Sequence, residues 1–167
     1  LEAAWDIVRA QGLAALSLRD LARQVGMQAP SLYQYFDSKN AIYDAMFAQG
    51  NEQLLERYLA LEPTGDPRQD MRAGARLFVQ FCAEDAARYQ LLFQRTIPGF
   101  EPSPESYAIA VRVLDLGRQR LAAAGFTEST AMDLWTAIVA GLSAQQTANE
   151  PGGTRLLGRI NDAVDMY

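Results

Sequence analysis

Residues 17–39 combine side chains that can form directed hydrogen bonds with side chains small enough to let a partner approach closely. The segment reads SLRDLARQVGMQAPSLYQYFDSK. The amide of Gln34 and the guanidinium of Arg19 can each form two parallel hydrogen bonds, to the edges of adenine and guanine respectively. The hydroxyl of Tyr33 and the ammonium of Lys39 suit contacts to phosphate oxygens. These residue types therefore predict recognition of double-stranded DNA.

Two short helices joined by a glycine turn are predicted to position these side chains. Ser17 is expected to cap the first helix, with Asp20 three residues later in its first turn, a variant of the capping box. Gly26 can adopt the positive φ that turns the chain. Pro30 falls in the first turn of the next helix, where its missing N–H costs nothing. The spacing therefore predicts a helix-turn-helix motif over residues 17–36.

The second helix of this motif is the third of the chain and is predicted from about Ala29 to Phe36. Leu32 and Phe36 lie four residues apart and are expected to anchor it to the core, which leaves its small and polar residues facing outward. A helix enters the major groove with its N-terminal residues towards the base edges. The predicted DNA-contacting residues are Ser17, Arg19, Gln28, Ala29, Pro30, Ser31, Tyr33, Gln34, Tyr35 and Lys39.

Composition limits the classes of protein to which this chain can belong. It has 167 residues, of which 49% are hydrophobic, enough for one or two units with a core and too apolar for a disordered chain. No uninterrupted apolar run reaches the roughly 20 residues of a membrane-spanning helix. The one cysteine, Cys82, cannot form an internal disulfide, which favours a reducing cytoplasm.

The absence of histidine removes several kinds of chemistry. It excludes a nucleophile–histidine–acid site and any metal site that needs imidazole. A single cysteine also argues against zinc or iron–sulfur ligation. We therefore expect no catalytic residues, no metal and no cofactor, and we expect that the protein is not an enzyme.

The charge of the chain gives only thin support for a nucleic-acid partner. The net charge is −5, whereas proteins that bind nucleic acids usually carry basic patches. Residues 1–47 contain four basic and five acidic side chains. DNA binding must therefore depend on a few placed contacts and on two copies of the motif in a dimer.

The rest of the chain is also predicted to be helical. A long fourth helix is expected from about Lys39 to Leu61, followed by a break at residues 62–67. Apolar stripes at helical spacing continue to the end, interrupted by a loop from Ile97 to Pro104 and by a helix stop at Pro151. The sequence therefore predicts an all-α fold of about nine helices.

Residues 1–47 resemble the DNA-binding domain of the TetR family of transcriptional regulators. The resemblance rests on Gly12, Ser17, Leu21, Ala22, Gly26, Met27, Leu32, Tyr33, Phe36 and Lys39. It implies an all-helical homodimer in which the third helix reads DNA and Lys39 contacts the backbone. It also implies a C-terminal region, here residues 48–167, that binds a small molecule and dimerises through the last two helices.

Two residues depart from the family pattern. Gln28 stands where the family often has Ser or Thr as the helix cap, and glutamine caps poorly. Tyr35 stands where the family often has His. The C-terminal region loosely resembles the subtype with a so-called WHG domain, although Ala140 replaces the His of that name.

The C-terminal region offers candidates for a ligand pocket and for a dimer interface. Aromatic and sulfur-containing side chains predict an apolar pocket, although an ordinary packed core would give the same apolar spacing along the helices. The pocket candidates are Phe78, Phe81, Cys82, Tyr89, Phe93, Tyr107, Met132 and Trp135. Small and apolar residues of the last two helices predict the dimer interface. These are Ala137, Gly141, Ala144, Leu156, Leu157, Ile160 and Val164.

Together these features predict a cytoplasmic transcriptional regulator, specifically a ligand-responsive repressor that binds a palindromic operator as a homodimer. Its expected partners are operator DNA, a second copy of itself and a small apolar or amphipathic effector. Two alternatives remain open. One is a DNA-binding dimer without an effector, and the other is a helical carrier or enzyme.

Overall fold

All regular secondary structure is helical over the residues that the computed structural model describes, 1–149 and 152–167. None of the helices in these ranges has the length and apolar character needed to cross a lipid bilayer. The predicted helix stop at Pro151 lies outside the described residues. The α-helices are α1 (Glu2–Gln11), α2 (Leu18–Gln24), α3 (Ala29–Leu32), α4 (Lys39–Leu59), α5 (Pro67–Glu84), α6 (Ala86–Phe93), α7 (Pro104–Ala123), α8 (Ala131–Asn149) and α9 (Ile160–Met166), with single 3₁₀ turns at Leu13–Ala15 and Leu157–Arg159.

The first compact unit, hereafter the first unit, consists of Leu1–Glu52 together with Asp85–Ile109. The apolar face of α1 forms the centre of its core, where Trp5 is 2% exposed and donates from Nε1 to Oε1 of Gln49 at 2.7 Å. Helices α2, α3, α4 and α6 complete this core. Their buried contributions are Leu21, Ala22, Leu32, Ile42, Tyr43, Met46, Ala87 and Leu91.

An acidic side chain on α4 holds the start of α7 within the first unit. Asp44 accepts from the backbone N–H of Ser103 at 2.7 Å and from its hydroxyl at 2.9 Å. The hydroxyl of Ser106 also donates to Asp44, at 2.9 Å. Ser103 Oγ in turn accepts from the N–H of Ser106 at 3.2 Å, which caps α7. The loop before α7 is therefore fixed by a carboxylate that lies 59 residues away in sequence.

The second compact unit, hereafter the second unit, consists of Gln53–Glu84 and Ala110–Tyr167. Helix α5 packs against α8 and α9. The core of this unit contains Met71, Ala75, Val79, Leu121, Trp135, Val139, Ile160 and Val164. Tyr167 closes it from the chain end: its hydroxyl donates to the carbonyl of Ala131 at 2.6 Å, and its ring lies 5.4 Å from that of Trp135.

The all-α prediction is confirmed, but the units of packing do not follow the predicted boundary at residue 47. The first unit needs α6, because Ala87 and Leu91 are buried in the same core as Trp5. The division into functional regions 1–47 and 48–167 stays a prediction. The helix predicted to end at Phe36 ends instead at Leu32, and residues 33–35 form a turn.

Candidate nucleic-acid interface

The predicted cap of α2 is present, and it also binds an acidic side chain. Ser17 has extended backbone angles, and its Oγ accepts from the N–H of Asp20 at 3.1 Å. The hydroxyl donates back to the Asp20 carboxylate at 2.6 Å, and Arg23 pairs with the same carboxylate at 2.7 Å. The Ser17 hydroxyl is the main cause that lowers the pKa of Asp20 below its usual value. Because its one proton is used in this way, we assign Ser17 to capping rather than to phosphate donation.

The turn between α2 and α3 has the geometry that its glycine predicts. Gly26 has φ +70°, in the left-handed region that costs other residues energy. Its N–H donates to the carbonyl of Arg23, and the N–H of Met27 donates to the carbonyl of Ala22 at 2.9 Å. These two bonds make up a Schellman motif, which satisfies carbonyls at the end of α2. The turn therefore fixes the direction in which α3 leaves.

Helix α3 is short and is held to the core by one side. Leu32 is 5% exposed, and Phe36 packs partly buried against the same core. Gln28 precedes the helix without a side-chain hydrogen bond to its first turn, so the expectation that glutamine would cap poorly is confirmed. Backbone hydrogen bonds continue past the end of α3. The N–H of Gln34 donates to the carbonyl of Ser31, and the N–H groups of Tyr35 and Phe36 donate to the carbonyl of Leu32, so a turn extends beyond the regular helix.

The outward face of this segment presents the predicted DNA-contacting side chains to solvent. Tyr33 is 56% exposed and Tyr35 is 72% exposed. Arg19, Gln34 and Gln28 are also exposed, and Ala29 and Ser31 are half-buried beside the exposed Pro30. Six of the ten predicted residues are thus exposed, while Ser17 is engaged in the cap of α2. Their contact with DNA stays a prediction.

The last of the predicted contacts in chain order, Lys39, has an internal partner at the start of α4. Its ammonium donates to the carbonyl of Ala14 at 2.7 Å and lies 5.4 Å from the centre of the Tyr43 ring. An ammonium carries three N–H donors. Lys39 can therefore keep this bond, which fixes its position, and offer its other donors to a phosphate.

We expect Ser17→Ala to raise the pKa of Asp20 towards 3.8, because the largest cause that lowers this pKa is removed. The lowered pKa stabilises the fold at pH values above the unfolded pKa, and this contribution is lost as pH falls through the folded pKa. Loss of the cap should also cost about 1 kcal/mol at neutral pH. Carboxyl-carbon NMR titration measures the pKa. Ser38→Ala, which removes the cap on Ala41 in α4, is the control and should leave Asp20 unchanged.

The predicted ligand-pocket residues fall in both units and have different surroundings. Phe93 and Tyr107 line a cavity of about 530 Å³ in the first unit, whereas Tyr89 is 5% exposed in that unit. In the second unit, Phe81 and Cys82 are completely buried and Trp135 is 8% exposed, while Phe78 and Met132 pack partly buried against the core. The grouping of these eight residues in one pocket therefore stays a prediction.

The predicted dimer residues divide by exposure, and two of them need correction. Ile160 and Val164 are 0% and 1% exposed within their own chain's core, so they are not available to a partner. Ala144, Leu156 and Leu157 are half-buried, whereas Ala137 and Gly141 are exposed on α8. Sequence reasoning missed Leu134, which is 58% exposed one turn before Ala137. Its apolar side chain on that face was the available signal.

Comparison with known proteins relates the chain to one family. The model of bacterial regulatory proteins of the tetR family matches residues 1–46. The HTH-type transcriptional activator FasR of Mycolicibacterium smegmatis is 33% identical over 95 residues, which are 56% of this chain and 43% of FasR. An HTH-type transcriptional regulator of Mycobacterium tuberculosis H37Rv, Rv1816, is 29% identical over 114 residues, 62% of this chain and 46% of that protein. The chain thus spans less than half the length of these curated relatives.

Solved structures share the fold. The TetR family regulator PfmR from Thermus thermophilus has a TM-score of 0.68 at 21% identity, covering 99% of this chain and 94% of PfmR. FadR from Bacillus subtilis, in complex with stearoyl-CoA, has a TM-score of 0.74 at 16% identity, with 99% and 94% covered. The helix-turn-helix geometry, the family match and the named relatives agree: residues 1–46 match the DNA-binding region of the tetR family of bacterial regulatory proteins, and the chain as a whole shares the fold of solved tetR family structures.

Proposed function

We propose that the protein is a DNA-binding transcriptional regulator that acts as a homodimer on a palindromic operator. The observation that carries the proposal is the exposure of Tyr33, Gln34 and Tyr35, which directly follow α3. The first residues of that helix have small side chains. Leu32 anchors that helix, and the Gly26 turn sets its direction. A helix held in this way can place its first residues against base edges in the major groove.

Each contact has a role that follows from its chemistry. The side chain of Arg19 is exposed on α2, so its guanidinium is available for guanine O6 and N7. Gln34 is suited to adenine, while Tyr33, Tyr35 and Lys39 are suited to phosphates. The set contains few cations. We therefore infer that the two copies of a dimer bind two half-sites about 34–36 Å apart, which doubles the number of contacts.

We further propose that the protein is a repressor whose DNA binding responds to a small molecule. Support comes from the cavity of about 530 Å³ in the unit that contains the helix-turn-helix and from FadR, which shares the fold and binds stearoyl-CoA. A ligand shifts a regulator between two states by its differential affinity for them. We also propose a cytoplasmic location, because a regulator of this kind must reach DNA. The name of FasR favours activation as the second candidate.

A gel-shift titration with DNA from upstream of the gene tests the proposal. The wild-type protein should form a specific complex that survives excess unrelated DNA. Gln34→Ala and Arg19→Ala should each weaken that complex by about fivefold or more, since each bidentate base contact discriminates by about 1–3 kcal/mol. Gln24→Ala is the matched control, because Gln24 is exposed on α2 but was not predicted to contact DNA. Absence of a specific complex even at low salt would contradict the proposal.

A promoter–reporter fusion separates repression from activation. Deletion of the gene should raise reporter output if the protein is a repressor, and it should lower the output if the protein is an activator. The Gln34→Ala variant should behave like the deletion in both cases. A wild-type response from this variant would contradict the assignment of α3 as the reading helix.

A further inference from the structure

The cavity of the first unit is large enough for a small organic molecule and mostly apolar. Its volume is about 530 Å³, within the range of ligand sites. The lining comes from α4, α6, the loop that follows α6 and the first turns of α7. The residues are Phe47, Leu91, Leu92, Phe93, Arg95, Phe100, Glu101, Pro102 and Tyr107.

Contacts that need no ligand hold the walls of this cavity in place. Phe100 packs edge-on against Tyr43, with ring centres 5.6 Å apart. Ser103, next to Pro102, is bound through its N–H and its hydroxyl to Asp44. Leu92 of α6, another lining residue, lies so close to α4 that a Cβ on Gly50 would stand 3.0 Å from it. A site that is already formed loses less entropy when a ligand binds.

Two charged residues at the cavity, Arg95 and Glu101, form an ion pair that a ligand could replace. Arg95 has φ +48°, the one positive φ outside glycine among residues 1–149 and 152–167. Arg95 directly follows Gln94, the C-cap of α6, where a left-handed residue commonly ends a helix. Arg95 pairs with Glu101 at 3.5 Å, and both side chains are more than four-fifths exposed, at 82% and 81%. A pair this long and this exposed contributes little stability, so a ligand can replace it at little cost.

We propose that this cavity binds an amphipathic monocarboxylate, a molecule with an apolar body and one carboxylate. The guanidinium of Arg95 matches a carboxylate with two parallel hydrogen bonds, and the half-exposed Tyr107 adds a hydroxyl donor at the same cavity. These donors outnumber the one acceptor carboxylate, Glu101, which the ligand displaces. The aromatic and leucine side chains bury the apolar body. The idea that this ligand is an effector rests on the function proposed above.

Isothermal titration calorimetry with three matched probes, in the absence of DNA, tests the site. The probes are naphthylacetate, naphthylethanol and naphthylethylamine, which share one apolar body and differ in the polar end. Naphthylacetate should bind about threefold to fivefold more tightly than the alcohol, because a carboxylate paired with a guanidinium this exposed gains a modest affinity. The amine should bind no better than the alcohol.

Single substitutions identify the side chain that binds the carboxylate of naphthylacetate. Arg95→Gln should remove the preference for naphthylacetate and leave the alcohol's affinity within about twofold, because a surface change of this kind perturbs the fold little. Tyr107→Ala should weaken all three probes through loss of apolar contact. The control Arg112→Gln, at an exposed arginine of the second unit, should change none of these affinities.

Three results would overturn the inference: no heat of binding for any probe, tightest binding of the amine, or a carboxylate preference that survives Arg95→Gln. These measurements need no operator, so their failure is distinct from a failure of DNA binding. If naphthylacetate binds as expected but leaves the gel-shift titration unchanged, the binding site stands and its effector role is overturned.

Discussion

Trp5→Ala should lower the free energy of unfolding by about 3–5 kcal/mol, the cost of emptying a large aromatic site in a core. Trp5 is 2% exposed at the centre of the first unit and donates to Gln49 at 2.7 Å. The substitution removes both the packing and this hydrogen bond. We therefore expect the variant to bind no operator at temperatures where the wild-type protein does, because α1 supports the helix-turn-helix.

Urea unfolding followed by far-ultraviolet circular dichroism measures the loss. Tyr35→Ala is the control, since it also replaces an aromatic ring by alanine but at a side chain that is 72% exposed. It should change stability by no more than about 0.5 kcal/mol. Trp135 lies in the second unit, so its fluorescence reports on that unit in the Trp5 variant. A loss below about 1 kcal/mol would contradict this account of the core.

Gly141→Arg should separate the dimer and thereby weaken operator binding by about 100-fold or more, the scale of avidity that two linked sites provide. Gly141 is exposed on α8 on the same face as Ala137 and Leu134. Among the described residues, a Cβ at this position would meet no atom within 4 Å apart from its chain neighbours and the backbone of its own helix. The arginine therefore fits the chain's own fold, and a large cation is placed where we propose that a second copy packs.

Analytical ultracentrifugation and the gel-shift titration read the two effects of this substitution. Gly141→Ala is the matched control, because it adds a methyl group but no charge at the same position. Replacing glycine by alanine within a helix should stabilise the chain by about 1 kcal/mol. We expect this control to remain a dimer. A Gly141→Arg protein that sediments as a dimer and binds DNA like the wild type would exclude α8 from the interface.

The local features of the helix-turn-helix could be predicted because short-range chemistry determines them. The Ser17 cap, the positive φ of Gly26 and the proline early in α3 each depend on neighbours within a few residues. Periodicity likewise identified Leu32 as an anchor. The length of α3 was predicted less well, since tight turn bonds replace the last helical turn and helix ends are sensitive to such changes.

The long-range features could not be predicted from one sequence. An apolar stripe shows which face of a helix is covered but not what covers it. Ile160 and Val164 had the spacing of an interface and are instead covered by their own chain. Phe81 is an aromatic residue of the kind that lines ligand pockets, but its side chain is completely buried. The bond from Asp44 to Ser103 joins residues 59 apart, and no local pattern indicates it.

The discontinuous make-up of the first unit has a consequence for biosynthesis. Helices α1 to α4 leave the ribosome early, but Ala87 and Leu91, which cover their apolar faces, are translated later. Chains are made at about 5–20 residues per second, so these faces stay open to chaperones and proteases for seconds. A message cut short before the codon for Asp85 should therefore yield an unstable fragment.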